Sequence, residues 1–425
     1  MNPGLIVILG LVVLSTLGMP IAFSLGISTV IALATAGFPE VVLAQRMFSA
    51  MNSIPLLAIP FFILAGNLMS CGITQKILDT ANAFAGHRKG SLGIVTVVAS
   101  ALFSAISGSG VATASAIGGI TIPGMKKDGY PTDFAAALAS IAATMGPLIP
   151  PSIFLIVYGS ATESSVAALF MAAIIPGIMM AIALAIYAIV YARRHNLPTR
   201  EKVPAKQALK TAMGSMWALF MPILILGGIF LGLFSATEAA AVSVIYALFV
   251  SVFVYKGLRW KDVLPLFGRS AVTTSALLLV MGVSKASSWV VVTSGLPALI
   301  LNFFQTITNS PVVIMLLINI LLLIVGCVME ANAAIVMLTP LLMPLLNNIG
   351  MSTIQFGVIM ALNLCLGLVT PPVGGCLMIG NMIAEEKLER TLKAILPMFA
   401  LGLVILGLIT YVPQLTLWLP SIAVN

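Results

Sequence analysis

The sequence predicts an all-α polytopic membrane protein built as an inverted repeat, with two re-entrant helical hairpins and two broken helices. Three observations predict it: an apolar composition, a set of Gly and Pro residues that recurs at a fixed offset, and a one-sided distribution of Lys and Arg. Of 425 residues, 60% are hydrophobic and 8% charged, with a mean hydropathy of +1.16. A soluble domain carries about 25% charged residues. The apolar runs are long enough for the ~20-residue helices that cross a bilayer. They lack the alternation of ~10-residue barrel strands, so an outer-membrane barrel is excluded.

The repeat is carried by residues that set backbone geometry. Pro123, Gly129, Gly146, Pro150, Pro151, Gly159 and Pro176 recur 221 residues later as Pro344, Gly350, Gly367, Pro371, Pro372, Gly380 and Pro397. The predicted elements follow in order. The first repeat, 1–195, holds two spans over 3–36, a surface helix over 40–51, a hairpin over 91–125, a broken helix over 131–160 and a closing span over 164–192. The opening MNPGLIVILGLVVLS lacks a basic n-region and a cleavage site, and reads as the first span. A polar linker over 196–210 suits a cytoplasmic loop. The second repeat, 211–425, holds spans over 211–255, a surface helix over 258–268, a hairpin over 311–346, a broken helix over 352–383 and a closing span over 391–415.

Basic residues orient the two hairpins. Arg88, Lys89, Lys126 and Lys127 flank the first, whereas Thr308, Asn309, Ser310, Asn347 and Asn348 flank the second. By the positive-inside rule the first opens from the cytoplasm and the second from the far side. The same topology puts 18 of the 20 Lys and Arg residues inside, all but Arg46 and Lys285. Both termini then lie outside. The net charge of +8 is therefore mostly topology, and no nucleic-acid partner is expected.

Several chemistries lack their residues. His87 and His195 are the two histidines, too few for a metal cluster or a Ser-His-Asp triad. No GxxxxGK[ST] loop is present to hold a nucleotide. Cys71, Cys327, Cys365 and Cys376 show no CxxC spacing and read as reduced packing residues.

The hairpin tips read SAISGSGVATAS (Ser104 to Ser115) and VGCVMEANAAIV (Val325 to Val336). The helix breaks read ATMGPLIPPS (Ala143 to Ser152) and LGLVTPPVGG (Leu366 to Gly375). Small residues at a tip and Pro-Pro at a break leave backbone groups unpaired at membrane depth, which is costly unless something polar fills the site. Carbonyls at the end of one half-helix suit Na⁺, and amides at the start of the next suit a carboxylate. Ser107, Gly108, Ser109 and Gly110 with Gly146 and Pro147 would form one Na⁺ site. Gly326, Glu330 and Asn332 with Gly367 and Thr370 would form the other. Proton coupling at Glu330 and a bracing role for it both stay open. Substrate contacts are expected at Ser109, Thr113, Pro150, Asn332 and Pro371, with Lys285 either meeting an anionic substrate or snorkelling to the interface. Trp289 reads as an interfacial anchor. Ser160 to Glu163 and Ser235 to Glu238 spell the same four letters, and each reads as a capping box before a long helix.

The runs SGSGVATASAIGGITIPGMKKDGYP, MGPLIPPS, FSATEAAAVSVIYAL and VTPPVGGCL resemble the large membrane subunit of tripartite ATP-independent periplasmic (TRAP) transporters, and the resemblance covers essentially the whole chain. It implies an elevator-type fold like that of the ion-transporter superfamily, in the bacterial inner membrane and driven by Na⁺. It also implies a small four-helix membrane subunit, here expected as a separate chain, and a soluble periplasmic binding protein that delivers the substrate. The spans over 3–36 and 211–255 would be the scaffold, the helices over 40–51 and 258–268 its arms, and the hairpins and broken helices the moving domain. The cargo would be an organic acid. Tips rich in Ser and Thr favour sialic acid over a C4-dicarboxylate. A stand-alone Na⁺/organic-anion symporter or exchanger, or an ion channel on the same repeats, is the alternative.

Overall fold

The computed structural model describes residues 2–85, 90–197 and 204–423. His87, Arg88 and Lys89 at the foot of the first hairpin, and 198–203 of the linker, lie outside the described residues. Everything described is helix or connection, with no strand. Among the described residues, seven helices are long and apolar enough to cross a membrane, or eight when the pair Lys206–Gly214 and Met216–Phe230, bent by 60°, counts as one span. In lipid a helix satisfies every backbone group within its own segment, which suits these continuously apolar runs.

In the first half, Pro3–Thr16 and Ile21–Ala36 form a short pair, and Val41–Met51 follows as a separate helix with no buried residue. A 28-residue helix, Ala58–Ala85, leads to the first hairpin. Its outgoing arm is Ser91–Ser107, and its returning arm runs from Gly110 to Lys127 through a π-helical turn at Ala114–Gly118. The first broken helix comprises Thr132–Ala143 and Ile153–Thr162, and Val166–Arg194 closes the half. In the second half the hairpin arms are Pro311–Val328 and Ala331–Asn348. The broken helix comprises Thr353–Gly367 and Gly375–Ala384, and the half closes with Leu388–Tyr411 and Gln414–Ala423.

The two broken helices lock together across the halves. Thr132–Ala143 is half Ala and is buried from Phe134 onward, so a partner can approach closely. It packs on Gly375–Ala384, where a methyl group on Gly380 would lie 3.1 Å from the Ala136 carbonyl oxygen. The other halves meet where Tyr158 Oη donates to the Thr353 carbonyl at 2.9 Å, and where a methyl group on Gly357 would lie 2.6 Å from the Tyr158 ring. Each broken helix thus sets its first part against the second part of the other. At the foot of the first hairpin, Lys126 Nζ donates to the Ala384 carbonyl at 2.8 Å, placing a cation at a helix C-terminus where the dipole favours it.

Three sequence expectations differ from the structure. The second surface helix over 258–268 is not separate: it is the start of one 34-residue helix, Trp260–Thr293, which runs through Pro265. Pro265 is the sixth residue of this helix, so the helix continues through it at the loss of one backbone hydrogen bond, the one to the Lys261 carbonyl. The linker over 196–210 contains helix from Ala205. Glu163 does not cap a following helix: Ser165 is the N-cap of Val166–Arg194, and Glu163 ends the preceding helix with φ 55°. At Glu238 the capping box is formed, with Ser235 N donating to the carboxylate at 2.8 Å. Trp289 packs with Arg46 4.6 Å from its ring and Phe38 edge-on at 5.3 Å.

Candidate functional site

Each hairpin tip is seated on the helix break of its own half. At the first junction, Gly108 takes φ 60° to end the outgoing arm, and Ser109 caps the returning arm through its Oγ, which accepts from Ala112 N at 3.3 Å. A methyl group on Gly146 would lie 2.5 Å from Ser109 C and 2.6 Å from Gly110 N, and one on Gly108 would lie 2.5 Å from the Pro151 carbonyl oxygen. No side chain fits between these backbones, which explains glycine at both positions. Gly110 also faces the other half, where its methyl group would lie 2.9 Å from Cys376 Sγ.

The Ser107, Ser109 and Thr113 groups of this junction are engaged among themselves, while Ser104 Oγ is buried without a partner. Ser107 Oγ and Thr113 Oγ1 are 3.2 Å apart, and Thr113 Oγ1 donates to the Ser109 carbonyl at 2.8 Å. Ser152, which sequence reasoning left out, donates to the Pro147 carbonyl and caps Ile153–Thr162. Thr113, Gly146, Pro147, Pro150 and Pro151 are all buried.

The second junction is built differently. A methyl group on Gly367 would collide with the Gly326 carbonyl oxygen and lie 2.8 Å from Gly326 Cα. Val373 N donates to the Cys327 carbonyl at 3.2 Å, stitching break to tip. Glu330 is the N-cap of Ala331–Asn348: one carboxylate oxygen accepts from Ala333 N at 2.9 Å and the other from Asn332 Nδ2 at 2.7 Å. That amide bond fixes which way the Asn332 side chain points. Its Oδ1 is buried and accepts no hydrogen bond. A buried polar atom left so costs free energy unless a ligand meets it. Thr370 Oγ1 donates to the Leu366 carbonyl at 2.8 Å and keeps lone pairs to offer. Pro372 and Val373 are exposed, and Pro371 is partly so.

Lys285 is in neither junction. It lines a cavity of about 290 Å³ with Asn52, Ser53, Ser160 and Glu163. Ser53 and Ser160 share a hydrogen bond of 2.9 Å across it, and no ion pair joins Lys285 to Glu163. The predicted residues therefore fall into three groups: a first junction, a second junction and a charged cavity. Hard oxygen donors around Asn332 fit an alkali cation, and among the described residues no His, Cys, Asp or Glu cluster fits a transition metal.

Comparison with known proteins places this architecture. The family described as Tripartite ATP-independent periplasmic transporter, DctM component, matches residues 8–415. The chain is 38% identical over 380 residues to the C4-dicarboxylate TRAP transporter large permease protein DctM of Pseudomonas aeruginosa, covering 89% of each. It is 37% identical over 410 residues to the sialic acid TRAP transporter large permease protein SiaM of Vibrio cholerae, covering 95% of each. Its fold is similar to the crystal structure of the YdaH transporter of Alcanivorax borkumensis, with a TM-score of 0.63 and 16% identity over 98% of both chains.

Proposed function

This chain belongs to the DctM component family of tripartite ATP-independent periplasmic transporters, and we propose that it imports an organic acid by coupling to Na⁺. As a TRAP large permease it is a membrane transporter subunit rather than an enzyme, and its family works with a small membrane subunit and a periplasmic binding protein. We place it in the inner membrane with both termini outside, following its basic residues.

The observation that carries the Na⁺ reading is the Asn332 Oδ1 acceptor, buried without a donor beside the Glu330 carboxylate where tip meets break. A cation there would be met by a carboxylate, an amide oxygen and the Thr370 hydroxyl. Because Glu330 also caps the returning arm, ion occupancy and tip geometry are linked through one side chain. The first junction offers Ser107 and Ser109 as oxygen donors, after a rearrangement of their mutual hydrogen bonds. The moving domain of the elevator would be the interlocked broken helices with the two hairpins seated on them.

The relatives carry different acids, so the cargo must be argued from this chain. The cavity beside Val41–Met51 offers one uncommitted cation, Lys285, several neutral groups and one carboxylate, Glu163. Arg46 is engaged with Trp289. A monoanion with hydroxyls matches that set, while the second charge of a dianion would meet Glu163. This supports sialic acid ahead of a C4-dicarboxylate.

The test is uptake in proteoliposomes holding the large and small subunits, with the binding protein supplied outside. Sialic acid uptake should require an inward Na⁺ gradient. Equal uptake in choline buffer would overturn the coupling, and uptake of succinate in preference would reassign the cargo.

A further inference from the structure

The bend between Lys206–Gly214 and Met216–Phe230 brings together two kinds of group that a surface helix ordinarily keeps apart. Lys206, Leu209, Lys210 and Met213 follow one another at i, i+3, i+4 and i+7, so lysines and large apolar residues share one face of the first helix. All four are exposed. A different face is turned to the protein: Ala208 is buried, and the helix packs on Ala58–Ala85. An amphipathic helix that only lies on a membrane sets its charges opposite its apolar stripe. A ligand that meets this face must offer a negative charge and an apolar body at once.

The apolar strip continues around the bend. Leu209, Met213, Met216, Phe220 and Ile223 are exposed and line a cavity of about 270 Å³. They recur every three or four residues, so the strip stays continuous where the axis turns by 60°. The bend is held from behind. Ser215 Oγ donates to the Lys76 carbonyl at 2.9 Å, and Tyr255 Oη accepts from Ala218 N at 3.2 Å. These bonds bring the chain beside the bend at Lys76 and at Lys256, the neighbour of Tyr255, and both lysines are exposed. From Lys206 to Phe230 there is no Asp or Glu. Asp79, one turn after Lys76, accepts from Gln75 Nε2 at 2.9 Å, and among the described residues Lys76, Lys206, Lys210 and Lys256 form no ion pair. Trp217, just past the bend, is exposed, and tryptophan favours the depth of the headgroups.

We propose that this bend binds one anionic phospholipid of the cytoplasmic leaflet, with the phosphate at Lys206 and Lys210 and an acyl chain along the strip from Leu209 to Ile223. A zwitterionic lipid offers the same chain, but its own ammonium competes for the phosphate, so the lysines select net negative charge. The anionic surface of that leaflet attracts each lysine in the same sense. A headgroup held there pins this end of the second half at the depth of the interface, and the chain packs against both helices and holds the angle between them. The proposal rests on the orientation given by the basic residues and on nothing about Na⁺ or cargo.

The experiment attaches a bimane to Ala212→Cys, which lines the same cavity, in the complex of large and small subunits with Cys71 and Cys327 replaced by Ala. The complex is placed in phosphatidylcholine nanodiscs, and its quenching by spin-labelled phosphatidylglycerol is compared with that by spin-labelled phosphatidylcholine at equal mole fractions. Phosphatidylglycerol should bind about twentyfold tighter, close to fivefold for each lysine. Lys206→Gln with Lys210→Gln should remove the preference and leave quenching by phosphatidylcholine unchanged, whereas arginine at both positions should keep it. Equal quenching by the two lipids with both lysines present overturns the site, as does a preference that survives the two glutamines. Quenching by neither lipid until the small subunit is stripped away makes the groove a subunit contact and overturns the lipid. Na⁺-independent uptake by the same preparation, with the lipid preference intact, would reject the coupling and leave the lipid site standing.

Discussion

The two tip-and-break junctions occupy matched places in the chain, yet one is sealed and the other is open. At the first, Gly146, Pro147, Pro150 and Pro151 are buried, Ser107, Ser109 and Thr113 hydrogen-bond one another, and Ser152 donates to the Pro147 carbonyl. At the second, Pro372 and Val373 are exposed, Glu330 brings a carboxyl group, and Asn332 Oδ1 is left with nothing to accept from. Gly and Pro at equal spacing thus fix the place of a junction, while the polar residues around them decide whether it is already satisfied or waiting for a ligand. The asymmetry continues outward. The first broken helix is clamped to its closing helix by aromatic rings, with Phe134 and Tyr191 stacked at 3.6 Å. The second uses buried amides, with Asn363 Nδ2 donating to Asn319 Oδ1 at 2.9 Å and Asn319 Nδ2 to Thr410 at 3.0 Å.

The largest effects should come from filling the glycine contacts. Gly146→Ala forces a methyl group into the Ser109 and Gly110 backbone, an overpacking that costs about 1–3 kcal/mol, and uptake should fall about tenfold or more. Gly367→Ala meets backbone as well, but its break has an exposed side on which to shift, so its loss should be smaller. Equal losses in an uptake assay would break the contrast between sealed and open junctions.

Removing charge at the open junction comes next. Glu330→Gln can still accept from Ala333 N but brings no charge to Asn332, and the Na⁺ concentration for half-maximal uptake should rise about tenfold, a loss of roughly 1.4 kcal/mol. An unchanged Na⁺ requirement would leave Glu330 as a helix cap alone. Smaller changes are expected from hydroxyl deletions: Ser107→Ala and Thr370→Ala should each raise the half-maximal Na⁺ about threefold, in keeping with about 1 kcal/mol for one hydrogen-bonding group. If neither moves, the cation binds elsewhere.

The smallest test concerns the letters the halves share. Ser165→Ala removes the cap of Val166–Arg194 and should lower the thermal stability of the detergent-solubilised protein by about 1 kcal/mol. Glu163→Gln should leave stability unchanged, because Glu163 caps nothing. A destabilised Glu163→Gln would put that carboxylate back into a structural role.

These particulars show what the sequence could reveal. The hairpins and breaks were legible because Gly and Pro act through the local backbone, so Gly108, Ser109 and the two Pro-Pro pairs could be placed without knowing their neighbours. Ser160 to Glu163 misled because the same four letters have two fates. Ser235 is free to cap, whereas Ser160 is bonded to Ser53, more than a hundred residues away. The separate second surface helix failed because helix Trp260–Thr293 runs on unbroken past residue 268. Nor could spacing show that Cys376, from the second half, closes against Gly110 of the first.

The central claim is that two cation sites of unlike construction drive one cargo. It is tested most directly by the Na⁺ activation curve of sialic acid uptake in proteoliposomes containing the complete transporter. The account predicts a sigmoidal curve with a Hill coefficient above about one and no greater than about two, the number of sites. Uptake independent of Na⁺, or a simple hyperbola that Glu330→Gln does not displace, would contradict it.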